Sequence, residues 1–310
     1  MILSLECLSI ALPYNSRARI FLEYKAMPMR SGLPVAIDEM QRLLAFLSAS
    51  ARLVVLTGAG ISTASGIPGY RDALGNWQRK PPVTHQEFIG DLRVRKRYWA
   101  RSMLGWPMMR RAKPNAAHME LARLEQQGRL AHLITQNVDG LHTAAGSASV
   151  LELHGRLRDV KCMVCDTAHA REWLQSSLVA ANPGFVGASA SVAPDGDADL
   201  DTDFHDFELT SCAHCGGMLK PDVVFYGDSV PLARARAALA AVEAADALLI
   251  IGSTMMVRSG YRLCEAAHAA GKPIAAINLG RTRADPLLFL KLQVECGAAL
   301  EGLADRLSRA

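Results

Sequence analysis

Six short apolar runs, each closed by turn residues, punctuate the chain: LVVLTGAG at 53–60, LAHLITQN at 130–137, VLELHG at 150–155, DVVFYG at 222–227, ALLIIGS at 247–253 and PIAAINLG at 273–280. Apolar runs without strict alternation are the pattern of strands buried on both faces of a parallel sheet. They predict one sheet. Between them, 36–49, 118–127, 232–244 and 260–270 carry apolar residues at three- and four-residue spacing, the stripe of a helix packed on a sheet. Strand and helix in alternation imply right-handed crossovers and an α/β fold, a Rossmann-like doubly wound parallel sheet.

Two stretches break the alternation. Residues 73–114 are basic, aromatic and helical in pattern, and 159–216 hold two Cys-x-x-C pairs. The sheet pattern resumes after each, which predicts a smaller inserted module over the carboxyl edge of the sheet. The expected division is an N-terminal extension at 1–33, a discontinuous doubly wound domain at 34–72, 115–158 and 217–310, and a small domain from a helical insert (73–114) and a cysteine-bearing insert (159–216).

Composition narrows the class. With 310 residues, two units are expected, because single cores stop growing at roughly 250 to 300 residues. Half the residues are hydrophobic, 21% are charged, and no run of about 18 apolar residues is present to span a bilayer. The pattern is that of a soluble protein with no membrane partner. A net charge of +4 does not demand nucleic acid. Eight bases stand against one acid at 91–113, and nine acids against Arg171 at 166–211. Solvated faces account for both.

Seven cysteines, four of them paired, favour a metal in a reducing compartment over a disulfide framework. The expected location is cytoplasmic, or the mitochondrial matrix in a eukaryote. The first 30 residues lack the basic start and clean apolar run of a secretion signal. An organelle presequence, or an extension upstream of a start near Met27, stays open.

LVVLTGAGIS is a strand running into a glycine turn and a helix, the arrangement that cradles phosphate on backbone amides; a plain tight turn is the alternative. Gly58 and Gly60 match the first two glycines of the dinucleotide fingerprint, but the third position is Thr63 and no strand-ending acid follows about 20 residues on. An ordinary dehydrogenase is disfavoured. In TQNVDGLH (135–142), Gln136, Asn137 and Asp139 can bind a carboxamide or ribose hydroxyls, or else cap the next helix.

Cys162 and Cys165, then Cys212 and Cys215, form two knuckles across a 46-residue gap, longer than the usual spacing of about 15 to 20. Four thiolates complete tetrahedral zinc with no open position, a structural site. His154, His169 and His214 are then not needed by the metal. At a strand end beside a small glycine, His154 suits proton transfer near neutral pH, although position alone fits a structural histidine equally well.

Taken in order, GAGISTASGIPGYR, TQNVDGLH, LHG, the paired Cys-x-x-C, KPDVVFYGD, GSTMMV and INLG resemble the sirtuins, NAD-dependent protein lysine deacylases, over roughly residues 36–303. RYWARSMLGWP, VAPDGD and SGYR resemble the class II branch of that family.

The resemblance implies NAD as co-substrate across the sheet edge. Gly58, Ala59, Gly60, Ile61 and Ser62 would lie on its phosphates, with Tyr70 and Arg71 in a closing loop. Gln136, Asn137, Val138 and Asp139 would meet the nicotinamide and its ribose, and Gly252, Ser253, Thr254, Asn278, Leu279, Gly280 and Cys296 the adenosine end. His154 would be the general base. An acylated lysine, in a protein or peptide, would enter as an extended strand against Val224, Phe225, Tyr226 and Gly227. The products would be free lysine, nicotinamide and acylated ADP-ribose.

The chain departs from the family in two places. Gly69 replaces an acid before Tyr70-Arg71, which loosens the cofactor loop, and GSTMM replaces the commoner GSSL, giving either a soft channel wall or core packing. Mono-ADP-ribosyl transfer in the same pocket is the alternative activity. Tyr98-x-x-Arg101 has the spacing of succinyl- or malonyl-selective members but aligns better with the class II RYWAR, so acetyl, long, branched and lipoyl-like groups stay open. A nucleic-acid-binding zinc module is disfavoured by the acids between the knuckles, and an NAD sensor without turnover by the retention of His154, Asn137 and Asp139. The acidic DGDADLDTD run (195–203) lacks the sixth-position glycine of a calcium loop and is expected to be solvated. Nothing in the sequence fixes the oligomeric state, and a monomer is compatible with it.

Overall fold

The computed structural model describes residues 35–72, 74–78, 82–186, 191–192, 198–199 and 204–309. The segment 1–33 and most of the acidic run at 195–203 lie outside them. The strands are β1 (Leu53–Thr57), β2 (Leu130–Thr135), β3 (Val150–Glu152), β4 (Gly155–Cys162), β5 (Ala168–Ala170), β6 (Ser191–Val192), β7 (Ala198–Asp199), β8 (Leu219–Val223), β9 (Ala247–Ile251), β10 (Ile274–Ile277) and β11 (Leu290–Leu292).

Six of them form a parallel sheet in the order β11-β10-β9-β1-β2-β3. Every residue of β1 is buried. Leu53 and Val55 face a core with Leu43, Phe46, Leu47 and Leu121, whereas Val54 and Leu56 face a second core with Val242, Leu263 and Cys264. Helices Ile37–Ser48 and Ala116–Gln126 therefore cover one face, and Leu232–Ala244 and Arg258–Ala269 the other. The order reverses between β1 and β9, and ligands bind at the carboxyl ends of such a switch point.

One predicted strand is corrected. Residues 222–227 do not join the parallel sheet: β8 pairs antiparallel with β4 in a three-stranded sheet, β5-β4-β8. After Val223 the chain turns away, with the Asp228 amide donating to the Phe225 carbonyl and Gly227 at φ +76°. The sixth place in the parallel sheet goes to β11 instead. Its central Lys291 reads as surface, yet its side chain is covered and paired with the Asp285 carboxylate at 2.9 Å.

The two stretches outside the alternation share a third core. Phe88, Tyr98, Trp99 and Met103 from helices His85–Gly90 and Leu92–Arg111 pack with Val160, Leu174, Leu178, Phe207 and Leu219. Its aromatic rings meet edge to face: Phe88 lies 5.3 Å from both Tyr98 and Phe225. β4 runs across positions 158 and 159, so the antiparallel sheet continues directly from the parallel one. Among the described residues, no helix is long and apolar enough to cross a membrane.

Candidate active site

At the switch point, the ends of β1, β2, β3, β9 and β10 open onto a cavity of about 1260 Å³. It collects every candidate residue outside the cysteine cluster. From the glycine turn come Gly58, Ala59, Gly60, Ile61 and Ser62, from the following loop Tyr70 and Arg71, and from the end of β2 Gln136, Asn137, Val138 and Asp139. His154 stands after β3; Gly252, Ser253 and Thr254 follow β9; Asn278, Leu279 and Gly280 follow β10; Cys296 opens a C-terminal helix. Val224, Phe225, Tyr226 and Gly227 form the opposite wall.

Backbone contact holds the glycine turn against the β9 loop. The Gly60 amide donates to the Gly252 carbonyl at 2.8 Å, and a Cβ on Gly60 would meet that oxygen at 2.8 Å. Behind the turn, the Ser62 hydroxyl donates to Asp139 Oδ2 at 2.8 Å and accepts from Asn137 Nδ2 at 3.1 Å. Asp139 Oδ1 accepts from the Leu141 amide while the residue lines the cavity, and Gly140, not Asp139, stands at the cap position of the next helix. Burial pushes the Asp139 carboxyl above its usual range, against the pull of the Leu141 and Ser62 bonds. Burial likewise pushes the Cys296 thiol up to about 12, leaving it protonated beside Gly60.

His154 Nδ1 lies 3.0 Å from the Gln136 carbonyl and Nε2 lies 2.7 Å from the Ser259 hydroxyl. Burial pushes the imidazole down to about 4, with the Gln136 bond opposing it. The ring is neutral at pH 7. Gly155, at φ +82°, permits the adjacent turn, and a Cβ there would meet the Asp222 carbonyl at 1.9 Å.

Arg71 in the cofactor loop stacks over Trp77 at 3.9 Å and donates to the Gly75 carbonyl at 2.8 Å. Trp77 meets Tyr226 edge to face at 5.6 Å, tying the loop to the opposite wall. That wall is braced from the helical insert: the His85 amide donates to the Tyr226 carbonyl and Gln86 Nε2 to the Gly227 carbonyl. The sequence pattern gave no role to Trp77, which lies outside its motifs, or to Ser259, which it met only as the first residue of SGYR. Of the two methionines, Met255 is buried in core packing and Met256 is only part-buried; both line the cavity. Tyr98 is 5% exposed within the aromatic core.

Cys162, Cys165, Cys212 and Cys215 bring their sulfurs within 4.8 Å of one another. Pairs lie at 3.5 Å (Cys162 and Cys215), 3.8 Å (Cys165 and Cys212) and 3.3 Å (Cys165 and Cys215). A zinc ion with bonds of about 2.3 Å sets sulfurs roughly 3.8 Å apart, so the four thiols fit a closed tetrahedral site.

A family model described as the Sir2 family matches residues 58–259. The chain belongs to the Sir2, or sirtuin, family. This sirtuin is 56% identical over 265 residues to an NAD-dependent protein deacetylase of Bordetella bronchiseptica, covering 85% of this chain and 97% of that one. An NAD-dependent protein deacetylase of Xanthomonas campestris pv. campestris is 54% identical over 256 residues, covering 82% and 87%. Among solved structures, a complex of Sir2 with a p53 peptide and NAD+ matches with a TM-score of 0.69 at 27% identity, over 87% of this chain and 99% of that one.

Proposed function

We propose that this sirtuin is an NAD-dependent protein lysine deacylase with His154 as its general base. The observation that carries this is the tautomer of His154: the Gln136 carbonyl can only accept, so Nδ1 holds the proton and Nε2 offers a lone pair on the cavity wall. The cavity suits a dinucleotide, since a glycine turn packed too closely for any side chain lines one continuous space together with Gln136, Asn137 and Asp139. When bound, NAD supplies the nicotinamide leaving group and the ribose that receives the acyl group. Asn137 and Asp139 would orient the nicotinamide end, the 58–62 turn would hold the phosphates, and His154 Nε2 would accept a hydroxyl proton. A protein or peptide carrying the acyl-lysine pairs its backbone with the 224–227 segment, a strand addition. Four cysteine thiolates hold one structural zinc.

RYWAR at 97–101 and SGYR at 259–262 support a place in the class II branch, resembling the mitochondrial sirtuin 4. The shared aromatic core supports a small domain built from 73–114 and 159–216 within the division 34–72, 115–158 and 217–310, with β8 (219–223) from the last segment joining its sheet.

The test is nicotinamide release from NAD with acetyl, succinyl, lipoyl and branched acyl-lysine peptides, alongside His154→Tyr. Release that depends on one acyl class and is lost in the variant is the expected result. Acyl-independent labelling of protein by ADP-ribose would replace deacylation with mono-ADP-ribosyl transfer.

A further inference from the structure

His154 has both ring nitrogens engaged, each by a different kind of group. A neutral imidazole carries one N–H and one lone pair. With Nδ1–H given to the Gln136 carbonyl, Nε2 at 2.7 Å can only accept the Ser259 hydroxyl proton. The lone pair assigned to catalysis is therefore already held by a hydroxyl of the chain itself.

The two partners of the ring are also fixed to each other. Ser259 stands in the first turn of helix Arg258–Ala269, and at the next residue, Gly260, a Cβ would meet Gln136 Oε1 at 2.6 Å and Cδ at 2.9 Å. Glycine is unfavourable within a helix, and here its bare backbone lets Gln136 close on the helix. Gln136 Nε2 then donates to Ser253 Oγ at 2.9 Å and to the Thr57 carbonyl at 3.3 Å, anchoring the assembly to the ends of β1 and β9. Ser259 itself lines the cavity.

We propose that Ser259 is a positioning residue for His154: its hydroxyl occupies Nε2 in the ligand-free chain and yields that place to the substrate hydroxyl whose proton His154 removes. The assignment rests on the reading of His154 as the base. A hydroxyl donor at 2.7 Å presents the chemistry the base must meet, at the distance proton transfer requires. It keeps the ring in one orientation and leaves no room at Nε2 for a loose water, so the incoming hydroxyl finds an aligned acceptor. Ser259 keeps its own proton throughout, and no bond to it forms or breaks.

The experiment uses the full-length zinc-bound chain with Ser259→Ala and Ser259→Thr. In the ligand-free state, ¹⁵N NMR of the histidine rings should show His154 as the Nδ1–H tautomer. Ser259→Ala should move the Nε2 resonance toward that of an unbonded ring nitrogen, and Ser259→Thr should keep it. With an acyl-lysine peptide, Ser259→Ala should form deacylated product about tenfold more slowly, the scale of one oriented hydrogen bond. In a single turnover the first release of nicotinamide should stay within about twofold while product formation lags behind it, and threonine should restore the product rate. An unmoved Nε2 resonance, or product formation in Ser259→Ala at or above the wild-type rate, overturns the proposal. A wild-type chain that releases no nicotinamide with any acyl peptide overturns the deacylase reading instead, and the NMR comparison alone then decides on Ser259.

Discussion

His169 Nε2 lies 3.2 Å from Cys212 Sγ, and its ring stacks on Trp173 with 4.7 Å between centroids and 24° between planes. One of the three histidines that the cysteine spacing left out of the metal site thus stands where an N–H on Nε2 would donate to a ligand thiolate. An N–H bond to a ligand thiolate draws off charge and fixes the sulfur, and such outer partners are commonly worth 10- to 100-fold in metal affinity. His169→Ala should therefore lose zinc to a colorimetric chelator about tenfold faster, and His169→Gln, which keeps a donor, should recover part of that. Identical release rates would remove any role for this bond.

The glycine turn should admit no side chain. At Gly60 a Cβ would sit 2.8 Å from the Gly252 oxygen and 2.9 Å from its Cα, and both are backbone atoms that cannot swing aside. Gly60→Ala should weaken NAD binding more than tenfold by calorimetry and lower Tm by several degrees. Gly184→Ala, where a Cβ meets nothing within 4 Å, is the matched control and should change neither.

At Gly69 the geometry is permissive. An added Cβ would meet only the Arg71 carbonyl, at 3.6 Å, and the backbone is not in the left-handed region. Restoring a side chain removes freedom from the unbound loop, an effect of roughly 0.4 to 1 kcal/mol where the conformation is compatible. Gly69→Asp should lower the KM for NAD two- to fivefold; an unchanged or raised KM in steady-state assays counts against a loosened loop.

What the sequence made legible follows from what is periodic in it. β1, β9 and β10 are buried throughout, so their apolar runs are continuous, and the ends of these strands and of β2 and β3 coincide with the turn residues that line the cavity. β11 escaped because its central residue is a lysine whose side-chain burial depends on Asp285, a contact no local pattern records. The run at 222–227 was misplaced because apolar density marks a strand without saying which sheet it joins. Tyr98 and Arg101 show the same limit: their spacing matches an acyl-selecting pair, yet Tyr98 packs among Phe88, Trp99 and Phe225. Ser259 stood inside the SGYR motif without a role, since its hydroxyl gains meaning only when the fold brings it to a ring 105 positions away.

The buried histidines should make the fold acid-sensitive. His142 Nε2 lies 2.9 Å from Thr57 Oγ1, its ring is 4.7 Å from that of His118, and burial pushes His142 down to about 3 and His118 to about 4. Unfolded, each imidazole titrates near 6.5. Between that value and the folded one the unfolded chain binds more protons, so stability rises with pH across the window and is lost as pH falls from about 6.5 toward 4. For His142 the loss between pH 6.5 and 5 is on the order of 2 kcal/mol. Urea midpoints measured from pH 7.5 to 5 should therefore fall, and they should fall less steeply in His142→Gln, whose amide can still reach Thr57 but takes up no proton. Zinc loss in acid acts on both proteins alike, so the difference between the two slopes isolates the imidazole; parallel slopes would place the acid sensitivity elsewhere.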